Sequence, residues 1–332
     1  MTLLVGINGL GRIGRSSLRL IEENYGGRVE VVAVNASGTI EQNNHLIKFD
    51  SVHGQFTKQL GSDGKNMLID GRPVRITSER DPANLDWEGV DLVLECTGAF
   101  NSKAASQAHL DRGAARVLLS APGKDVDKTI VYGVNHKILT EDDTVVSAAS
   151  CTTNCLAPVA MVMRNAVGIE KGFMTTIHAY TGDQPTLDRR HKDPYRGRAA
   201  AMSMIPTTTG AAKAVGLVLP DLDGKLDGSA IRVPTPNVSV VDFKFVANGD
   251  TSIEEINRAV LQAAGGELNG VLAYDEEAKV SIDYNHTETA SNFAGMQTRV
   301  HGNLVRVLSW YDNEWGFTNQ MLRTALEMGK TI

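Results

Sequence analysis

Three glycines near the N-terminus have a fixed spacing between a strand pattern and a helix pattern. Residues 3–7 form the short apolar run of a buried strand, and an amphipathic helical pattern begins a few residues later. Between them, Gly9, Gly11 and Gly14 give the spacing G-x-G-x-x-G. This spacing permits a tight turn, close approach of a pyrophosphate to backbone amides, and close packing of helix against strand. A turn of purely structural origin is the alternative, but the context favours a dinucleotide-binding domain.

The end of the second predicted strand, residues 29–34, bears on the type of dinucleotide. An acidic residue is expected about 20 residues after the last glycine, to bind the adenosine ribose hydroxyls, whereas this chain has Asn35, Ala36 and Ser37. A carboxylate there would repel a ribose 2′-phosphate by a few kcal/mol at close range, for an effective dielectric of about 20. Ala36 removes that repulsion and Ser37 adds a donor, so we expect NADP to be accepted or preferred. The alternative is an NAD-binding protein that has lost one hydrogen bond.

Two further apolar strand patterns follow in the first half of the chain. One leads directly into Thr97 and Gly98, and the other ends at Ser120. Ligands bind at the carboxyl ends of strands in open α/β sheets, so we expect these residues at the cofactor site. Arg80 lies in a polar loop, where it stacks on adenine, pairs with phosphate or is simply solvated.

A cysteine lies where another strand–helix junction is predicted. A β-rich run at residues 144–146 leads into a turn of small residues, and a helical pattern begins at Cys151. Ser150 is suited to cap that helix, because its hydroxyl can accept a hydrogen bond from a first-turn amide. Cys151 then lies at the positive end of the helix dipole, which favours thiolate over thiol, and Cys155 is expected inside. Taken alone, the pattern fits a nucleophile and a small buried residue equally well.

The second half of the chain offers a base for this cysteine. His178 lies in a strand pattern at residues 173–180. A lone histidine in a strand is commonly a core residue, but an imidazole beside a thiol at a helix N-terminus forms a reactive ion pair. His191 is the main rival, and its charged loop predicts that it is solvated.

Two features of the second half indicate anion binding. Residues 206–210 bring hydroxyl groups and glycine to the start of a predicted helix at residues 211–219, which gives either a phosphate site or an ordinary cap. Arg232 lies in an apolar strand pattern, where a buried charge requires an anionic partner.

Length and composition limit the possible classes of protein. A chain of 332 residues with 42% hydrophobic and 22% charged residues predicts two globular domains. We expect an α/β protein, with an N-terminal Rossmann-type doubly wound parallel sheet and an α+β catalytic domain that contains a large, mostly antiparallel sheet. A net charge of -6 argues against nucleic acid or an anionic membrane as partner. Three cysteines fit neither a disulfide framework nor a zinc site, and without a signal or membrane-spanning pattern we expect a cytoplasmic protein without a metal.

Six motifs occur in order along the chain. They are GINGLGRIGR at residues 6–15, ASCTTNC at 149–155, HAYT at 178–181, PTTTGAAK at 206–213, RVPTPNVS at 232–239 and WYDNEWG at 310–316. With these motifs the chain resembles the glyceraldehyde-3-phosphate dehydrogenase family over essentially its whole length. The resemblance implies a homotetramer, a cofactor domain at residues 1–150 onto which the C-terminal helix 316–332 packs back, and a catalytic and oligomerisation domain at residues 151–315.

The resemblance also implies a mechanism and a set of site residues. The Cys151 thiolate attacks the aldehyde of glyceraldehyde 3-phosphate, His178 takes the proton as hydride leaves for NAD(P), and inorganic phosphate cleaves the thioester to give 1,3-bisphosphoglycerate. By this resemblance, the phosphate group of the substrate binds Thr181 and Arg232, with Asp183 nearby. Inorganic phosphate binds Ser150, Thr152, Thr209, Gly210 and Arg196. The cofactor contacts are Asn8, Gly9, Gly11, Arg12, Ile13, Asn35, Ala36, Ser37, Arg80, Thr97, Gly98, Ser120 and Asn313, with Asn313 orienting the nicotinamide amide.

Departures from the family pattern concern the cofactor. Many members have Asp where Ala36 stands, and in the long loop after His178 strictly NAD-using relatives carry Leu-Pro where this chain has Arg189 and Arg190. In the family this loop lines a neighbouring subunit's cofactor site, so the two arginines could reach a 2′-phosphate as charge-assisted donors; a solvated basic loop is the alternative. Gly182 and Ala148 also replace common asparagines near the nicotinamide and the catalytic turn, respectively.

Three other functions are compatible with these features. An erythrose-4-phosphate dehydrogenase would usually depart from Thr208-Thr209-Gly210 and from Ala179-Tyr180-Thr181, both of which are intact. A non-enzymatic dinucleotide-binding regulator would not need Cys151 together with His178. A strictly NAD-dependent glycolytic enzyme with a relaxed ribose site differs only in its cofactor preference.

Overall fold

The computed structural model describes residues 2–330 and divides the chain into two compact units. The first contains residues 2–130, 136–149 and 321–330, and the second contains residues 131–135 and 150–320. Residues 1, 331 and 332, which the sequence assigned to the cofactor domain, lie outside the described residues. None of the described helices is long and apolar enough to cross a membrane.

The first unit alternates strands with short helices. Its elements are β1 Leu3–Asn8, α1 Arg12–Leu20, β2 Val29–Asn35, α2 Ile40–Lys48, β3 Phe49–Asp50, β4 Gly54–Gln55, β5 Leu60–Ser62, β6 Asn66–Ile69, β7 Arg72–Thr77, β8 Leu92–Glu95, α3 Lys103–Asp111, β9 Arg116–Leu119, β10 Lys128–Thr129 and β11 Val145–Ser147. β8 and β9 are buried along their whole length, as expected for strands that are covered on both faces of a parallel sheet.

Nine of these strands form a sheet in the order β10-β11-β9-β8-β1-β2-β7-β6-β5, and β3 pairs separately with β4. From β10 to β7 the pairs are parallel, and only the hairpins β7-β6 and β6-β5 are antiparallel. The chain leaves β1 towards β2 on one side and returns to β8 on the other, so the strand order reverses at β1. A reversal of this kind opens a crevice at the carboxyl ends of the strands, where α/β proteins bind ligands. The expected doubly wound parallel sheet is confirmed.

The second unit carries most of the longer elements. They are α4 Cys151–Val167, β12 Lys171–Ala179, β13 Ile205–Thr208, α5 Ala211–Val218, β14 Leu226–Val233, β15 Ser239–Val246, α6 Ile253–Gly265, β16 Leu272–Asp275, β17 Ser291–Ala294, β18 Arg299–His301, β19 Leu304–Tyr311 and α7 Trp315–Gly329, whose residues from 321 onward belong to the first unit. Seven of the strands form a sheet in the order β13-β14-β12-β15-β19-β17-β16, and β18 pairs with β19.

This second sheet is mixed, with antiparallel pairs in the majority, as predicted. The pairs β12-β14 and β16-β17 are parallel, and the others are antiparallel. The parallel register sets His178 of β12 beside Arg232 of β14. Two residues that lie 54 positions apart in the chain are therefore neighbours at the ends of adjacent strands.

Candidate active site

Cys151 is the first residue of α4, and the turn before it is tightly constrained. Ser150 caps the helix, since its Oγ accepts the Thr153 amide at 3.1 Å. Ala149 has a φ of 59°, a left-handed conformation that costs about 1–3 kcal/mol in a non-glycine residue and is common at functional turns. The cap and the helix start are as the sequence predicts. Cys155 is fully buried, also as predicted, and burial raises the pKa of its thiol to about 12.

His178 faces the thiol of Cys151. Its Nε2 lies 3.4 Å from Cys151 Sγ, and its Nδ1 lies 2.7 Å from the carbonyl oxygen of Ala179. A carbonyl can only accept, so Nδ1 carries the ring proton and Nε2 is left as the acceptor towards sulfur. The Arg232 guanidinium also lies 3.2 Å from Nδ1, but it lies 3.1 Å from the Ala179 oxygen. We assign its hydrogen bond to that oxygen, because a protonated Nδ1 cannot accept.

The electrostatics of this pair correct the sequence interpretation. Burial and the positive charge of Arg232 lower the pKa of His178 to about 3, although the hydrogen bond to Ala179 opposes the shift. Burial raises the pKa of the half-buried Cys151 thiol, and Arg232 and the first helical turn offset this only in part. Both shifts run against the expected thiolate and reactive ion pair. They favour a neutral thiol beside a neutral imidazole, because desolvation is the largest cause of each shift.

Arg232 is a cation without a carboxylate partner within the described residues. Its Nη1 lies 3.4 Å from the Thr181 hydroxyl as well as near Ala179, and its buried Nε has no hydrogen-bond partner. Arg232 as a whole is half-buried, but a buried guanidinium N–H without a partner is costly unless an anion completes it. Arg232 and Thr181 together therefore form a candidate anion site beside His178.

The loop after β12 holds a cluster of charges that the sequence did not resolve. Asp183 accepts a hydrogen bond from Arg196 at 3.0 Å and lies 3.1 Å from His191 Nε2. Burial alone would raise the pKa of Asp183, but its bonds to His191 and Arg196 hold it below its ordinary value. His191 is thus half-buried and paired, and the expectation that it is solvated is wrong. Arg196 also contacts the Thr207 hydroxyl at 2.9 Å, so several groups fix its direction.

A buried tyrosine beside the site was absent from the predicted residues. The Tyr311 hydroxyl lies 2.8 Å from the Thr152 hydroxyl and 2.8 Å from that of Thr176, and its ring meets the His178 ring edge-on. The Thr152 hydroxyl is therefore engaged inside the unit, which leaves its backbone amide for any anion at the start of α4. Tyr311 is part of the WYDNEWG motif, but only tertiary structure reveals its partners.

The residues before α5 differ from the sequence prediction, which placed residues 206–210 together at the start of this helix. Thr207 and Thr208 belong to β13, which pairs with β14, rather than to the loop before α5. Gly210 precedes the first residue of α5, and Thr209 Oγ1 accepts the Ala211 amide at 3.2 Å. The Thr209 hydroxyl thus binds only the first helical amide, and the N-cap residue Gly210 provides no side-chain cap. The next amides of this turn are left as potential anion donors.

The side-chain amide of Asn313 is oriented by a hydrogen bond with Ser239. Ser239 Oγ lies 2.8 Å from Asn313 Oδ1 and accepts the Ala179 amide at 3.0 Å. Because the hydroxyl has one proton and already accepts from Ala179, it donates to Asn313 and turns the Asn313 oxygen towards itself. The Asn313 amide nitrogen is then the group presented to a ligand.

The first unit contains a cavity of about 430 Å³ at the carboxyl ends of its central strands. We call it the dinucleotide cleft; among the predicted cofactor residues it is lined by Asn8, Gly9, Gly11, Asn35, Ala36, Ser37, Arg80 and Thr97. Gly9 has a φ of 95°, a Cβ on Gly14 would lie 1.9 Å from the Gly9 oxygen, and a Cβ on Gly11 would meet no protein atom. These are the three properties expected of a turn that lets a pyrophosphate approach the backbone.

Other predicted cofactor residues lie outside this lining. Ile13, Gly98 and Ser120 are among them, and so is Arg12, which forms a two-point ion pair with Asp50 at 2.5 and 3.0 Å. In the second unit, Arg189 and Arg190 are exposed in the loop after β12.

Comparisons with known proteins match both units. Residues 3–103 match the NAD binding domain of glyceraldehyde 3-phosphate dehydrogenase, and residues 150–313 match its C-terminal domain. The chain is 60% identical to the glyceraldehyde-3-phosphate dehydrogenase of Xanthobacter flavus, covering 99% of each chain, and 60% identical to that of Cereibacter sphaeroides, covering 100% of each. It is 48% identical to glyceraldehyde-3-phosphate dehydrogenase 1 of Bacillus subtilis, covering 99% of each. This chain therefore belongs to the glyceraldehyde-3-phosphate dehydrogenase family of NAD(P)-dependent oxidoreductases.

Proposed function

We propose that this chain catalyses the phosphorylating oxidation of D-glyceraldehyde 3-phosphate to 1,3-bisphosphoglycerate, with NAD(P) as hydride acceptor. The observation that carries the proposal is the pairing of Cys151, at a helix N-terminus, with a neutral imidazole nitrogen 3.4 Å from its sulfur. A nucleophile, an adjacent base and a nearby anion site are the parts that acyl transfer from a phosphorylated aldehyde requires.

The proton inventory of the proposed reaction follows from the neutral pair. As Cys151 Sγ adds to the aldehyde carbon, its proton passes to His178 Nε2 and from there to the new hydroxyl oxygen. The same nitrogen takes that proton back while the carbon is oxidised to the thioester. Bound NAD(P) supplies the hydride acceptor. Phosphate then attacks the thioester carbonyl, the C–S bond breaks, and His178 returns the proton to sulfur.

Two groups of donors are proposed for the two phosphates. Arg232 and Thr181 would hold the phosphate of the substrate, because Arg232 has an unused buried N–H. Inorganic phosphate would bind the first-turn amides of α4 after Ser150 and the α5 start at Thr209 and Gly210, with Arg196 as its cation. Both helix starts direct N–H groups and the positive end of a dipole outward. Asp183 positions the Arg196 guanidinium in this proposal rather than touching phosphate itself.

The dinucleotide cleft fits a pyrophosphate, since Gly11 leaves open space above its Cα and Gly9 adopts the required turn. Asn8, Gly9, Gly11 and Thr97 would hold the dinucleotide there. The role of Asn313 in orienting the nicotinamide amide is proposed from the family motif that contains it. We propose that NADP is accepted or preferred, because β2 is followed directly by the uncharged Ala36 and the exposed Ser37. Arg189 and Arg190 of a neighbouring subunit would add charge-assisted donors to the 2′-phosphate.

Initial rates with glyceraldehyde 3-phosphate and inorganic phosphate, using NAD and NADP over a range of concentrations, test this proposal. We expect kcat/KM with NADP to equal or exceed that with NAD. A value about 100-fold lower, equivalent to about 2.7 kcal/mol, would make the protein strictly NAD-dependent. Without phosphate, turnover should stop after one equivalent of reduced cofactor per Cys151, whereas a hydrolytic enzyme acting on erythrose 4-phosphate would continue. C151S should be inactive, and C155S is the matched control.

We also propose a homotetramer. Leu187, Met202 and Met204 are 74%, 83% and 76% exposed in and after the long loop of the second unit, and large exposed apolar side chains grouped along one segment are typical of a protein interface. Light scattering coupled to size exclusion should give four times the chain mass. A monomer with full activity would contradict this proposal and the assignment of Arg189 and Arg190.

A further inference from the structure

A buried carboxylate that the proposed chemistry does not use lies behind the dinucleotide cleft. Glu95 is the last residue of β8, and its side chain is fully buried. Strand register places it beside Asn8 at the end of β1, and Asn8 beside Asn35 at the end of β2. Three adjacent parallel strands therefore end in a row of polar residues, of which Asn8 and Asn35 line the cleft.

Four donors converge on the Glu95 carboxylate. Asn8 Nδ2 and His109 Nε2 lie 2.6 and 3.1 Å from Oε2. The Thr97 amide donates to Oε1 at 2.7 Å, and the Thr97 hydroxyl donates to the same oxygen. None of these partners is a lysine or arginine. Burying a carboxylate is unfavourable unless hydrogen bonds replace water, so its place in this row calls for a role other than packing.

The direction of the hydrogen bonds is fixed from the far side by a tryptophan. Trp87 Nε1 lies 3.0 Å from His109 Nδ1, and His109 is fully buried. An indole N–H can only donate, so Nδ1 accepts, and the imidazole proton lies on Nε2, facing Glu95. Trp87, His109 and Glu95 therefore form a chain with one polarity, which ends at an acceptor.

The direction is fixed from the cleft side as well. Asn35 Nδ2 donates to Asn8 Oδ1 at 2.7 Å and to the Glu79 carbonyl at 2.9 Å, while its Oδ1 accepts the Glu79 amide at 2.8 Å. The Asn35 amide cannot flip without losing these bonds. Asn8 must then present its oxygen to Asn35 and its nitrogen to Glu95, which accepts from both sides.

We propose that Glu95 is a positioning residue for dinucleotide binding, which holds Asn8 and the Thr97 turn in place from outside the cleft. The inference rests on the dinucleotide cleft of the proposed function. Glu95 is absent from the cleft lining, so it acts through Asn8 and Thr97. A glutamine at this position puts an NH₂ group either against Asn8 and His109 or against Thr97, and each alternative sets donor against donor.

The test compares E95Q with the wild-type enzyme in calorimetric titrations with NAD and with ADP-ribose. We expect both ligands to bind about 10-fold more weakly, since a buried hydrogen-bonding group is left unsatisfied, while kcat at saturating NAD stays within about twofold. D91N is the matched control: Asp91 precedes the same strand at its other end and accepts only the Leu4 amide among the bonds found there, at 2.8 Å. Its affinity for NAD should equal that of the wild type.

A second variant covers the case in which E95Q does not fold. W87F keeps an aromatic ring in the core but removes the indole donor, and we expect about threefold weaker NAD binding at unchanged kcat. The inference would be overturned if folded E95Q bound NAD with wild-type affinity, or if E95Q and D91N bound NAD equally weakly. If E95Q does not fold, wild-type NAD affinity in W87F would overturn it. Wild-type protein that binds NAD without oxidising glyceraldehyde 3-phosphate would refute the proposed reaction and leave the positioning role to be decided by these titrations.

Discussion

His178 Nε2 lies 3.4 Å from Cys151 Sγ, while Nδ1 of the same ring lies 2.7 Å from the Ala179 carbonyl oxygen. The carbonyl fixes the ring as the tautomer that accepts at Nε2, and burial with Arg232 keeps it neutral. The histidine is therefore poised to take a proton from sulfur or from a thiohemiacetal hydroxyl, rather than to hold one in a resting ion pair.

Replacement of the base should reduce turnover strongly but not substrate binding. H178N removes the Nε2 acceptor, and we expect kcat to fall by about 10²–10⁴-fold, the usual contribution of a positioned general base. Steady-state rates with glyceraldehyde 3-phosphate and phosphate measure this. H301N, a change at an exposed position on β18, is the matched control and should retain wild-type kcat. A kcat for H178N within threefold of wild type would remove His178 from the mechanism.

The pH dependence of Cys151 alkylation should show that the thiol is neutral at rest. Because burial raises its pKa, the thiolate fraction at a given pH lies below that of a free thiol, and the rate with iodoacetamide should keep increasing above pH 8.5. R232L removes a cation that lowers this pKa, so alkylation at pH 8 should be slower than in the wild type. Cys96 and Cys155, whose pKa values burial raises to about 12, should not react. A rate that is already maximal at pH 6 would instead establish a thiolate–imidazolium pair.

Structural features that depend on neighbouring residues in the chain could be predicted from the sequence. Features that depend on contacts between distant residues could not. The glycine turn, the Ser150 cap and the alternation of strands and helices each depend on neighbouring residues. The parallel pairing of β12 with β14, which brings Arg232 beside His178, depends on sheet topology. The pairs of Asp183 with His191 and Tyr311 with Thr152 have no local signature. The neutral state of the catalytic pair escaped prediction because helix position was visible in the sequence, but the depth of burial was not.

Arg232 should contribute to recognition of the substrate's phosphate rather than to the chemical step alone. R232K keeps a positive charge but loses the guanidinium donors near Thr181, so we expect kcat/KM for glyceraldehyde 3-phosphate to fall about 10- to 100-fold, as for a charged hydrogen bond worth about 1.5–3 kcal/mol. Unphosphorylated glyceraldehyde is the control substrate. Its kcat/KM should change less than threefold, and an equal loss with both aldehydes would assign Arg232 to the chemistry at Cys151 and His178.

Ala36 should determine whether NADP is used. The residue is buried directly after β2 and lines the cleft, and its amide donates to the Thr77 carbonyl at 2.9 Å. A36D places a carboxylate where the ribose 2′-position is expected, so kcat/KM with NADP should fall by about 100-fold, equivalent to about 2.7 kcal/mol of repulsion and lost hydrogen bonding. The value with NAD should remain within about threefold or increase, because the carboxylate can accept from the ribose hydroxyls.

The loop arginines should add to this effect across the proposed subunit interface. R189L/R190P introduces the pair expected of strictly NAD-using relatives, and we predict a loss of about 10-fold in kcat/KM with NADP and little change with NAD. The effect should diminish at high ionic strength, since charge-assisted contacts to an exposed phosphate are screened by salt. A variant in which NAD and NADP lose equally would show that the loop shapes the whole cofactor site. If only A36D discriminates between the cofactors, the 2′-phosphate is recognised within one subunit, and Arg189 and Arg190 form a solvated basic loop.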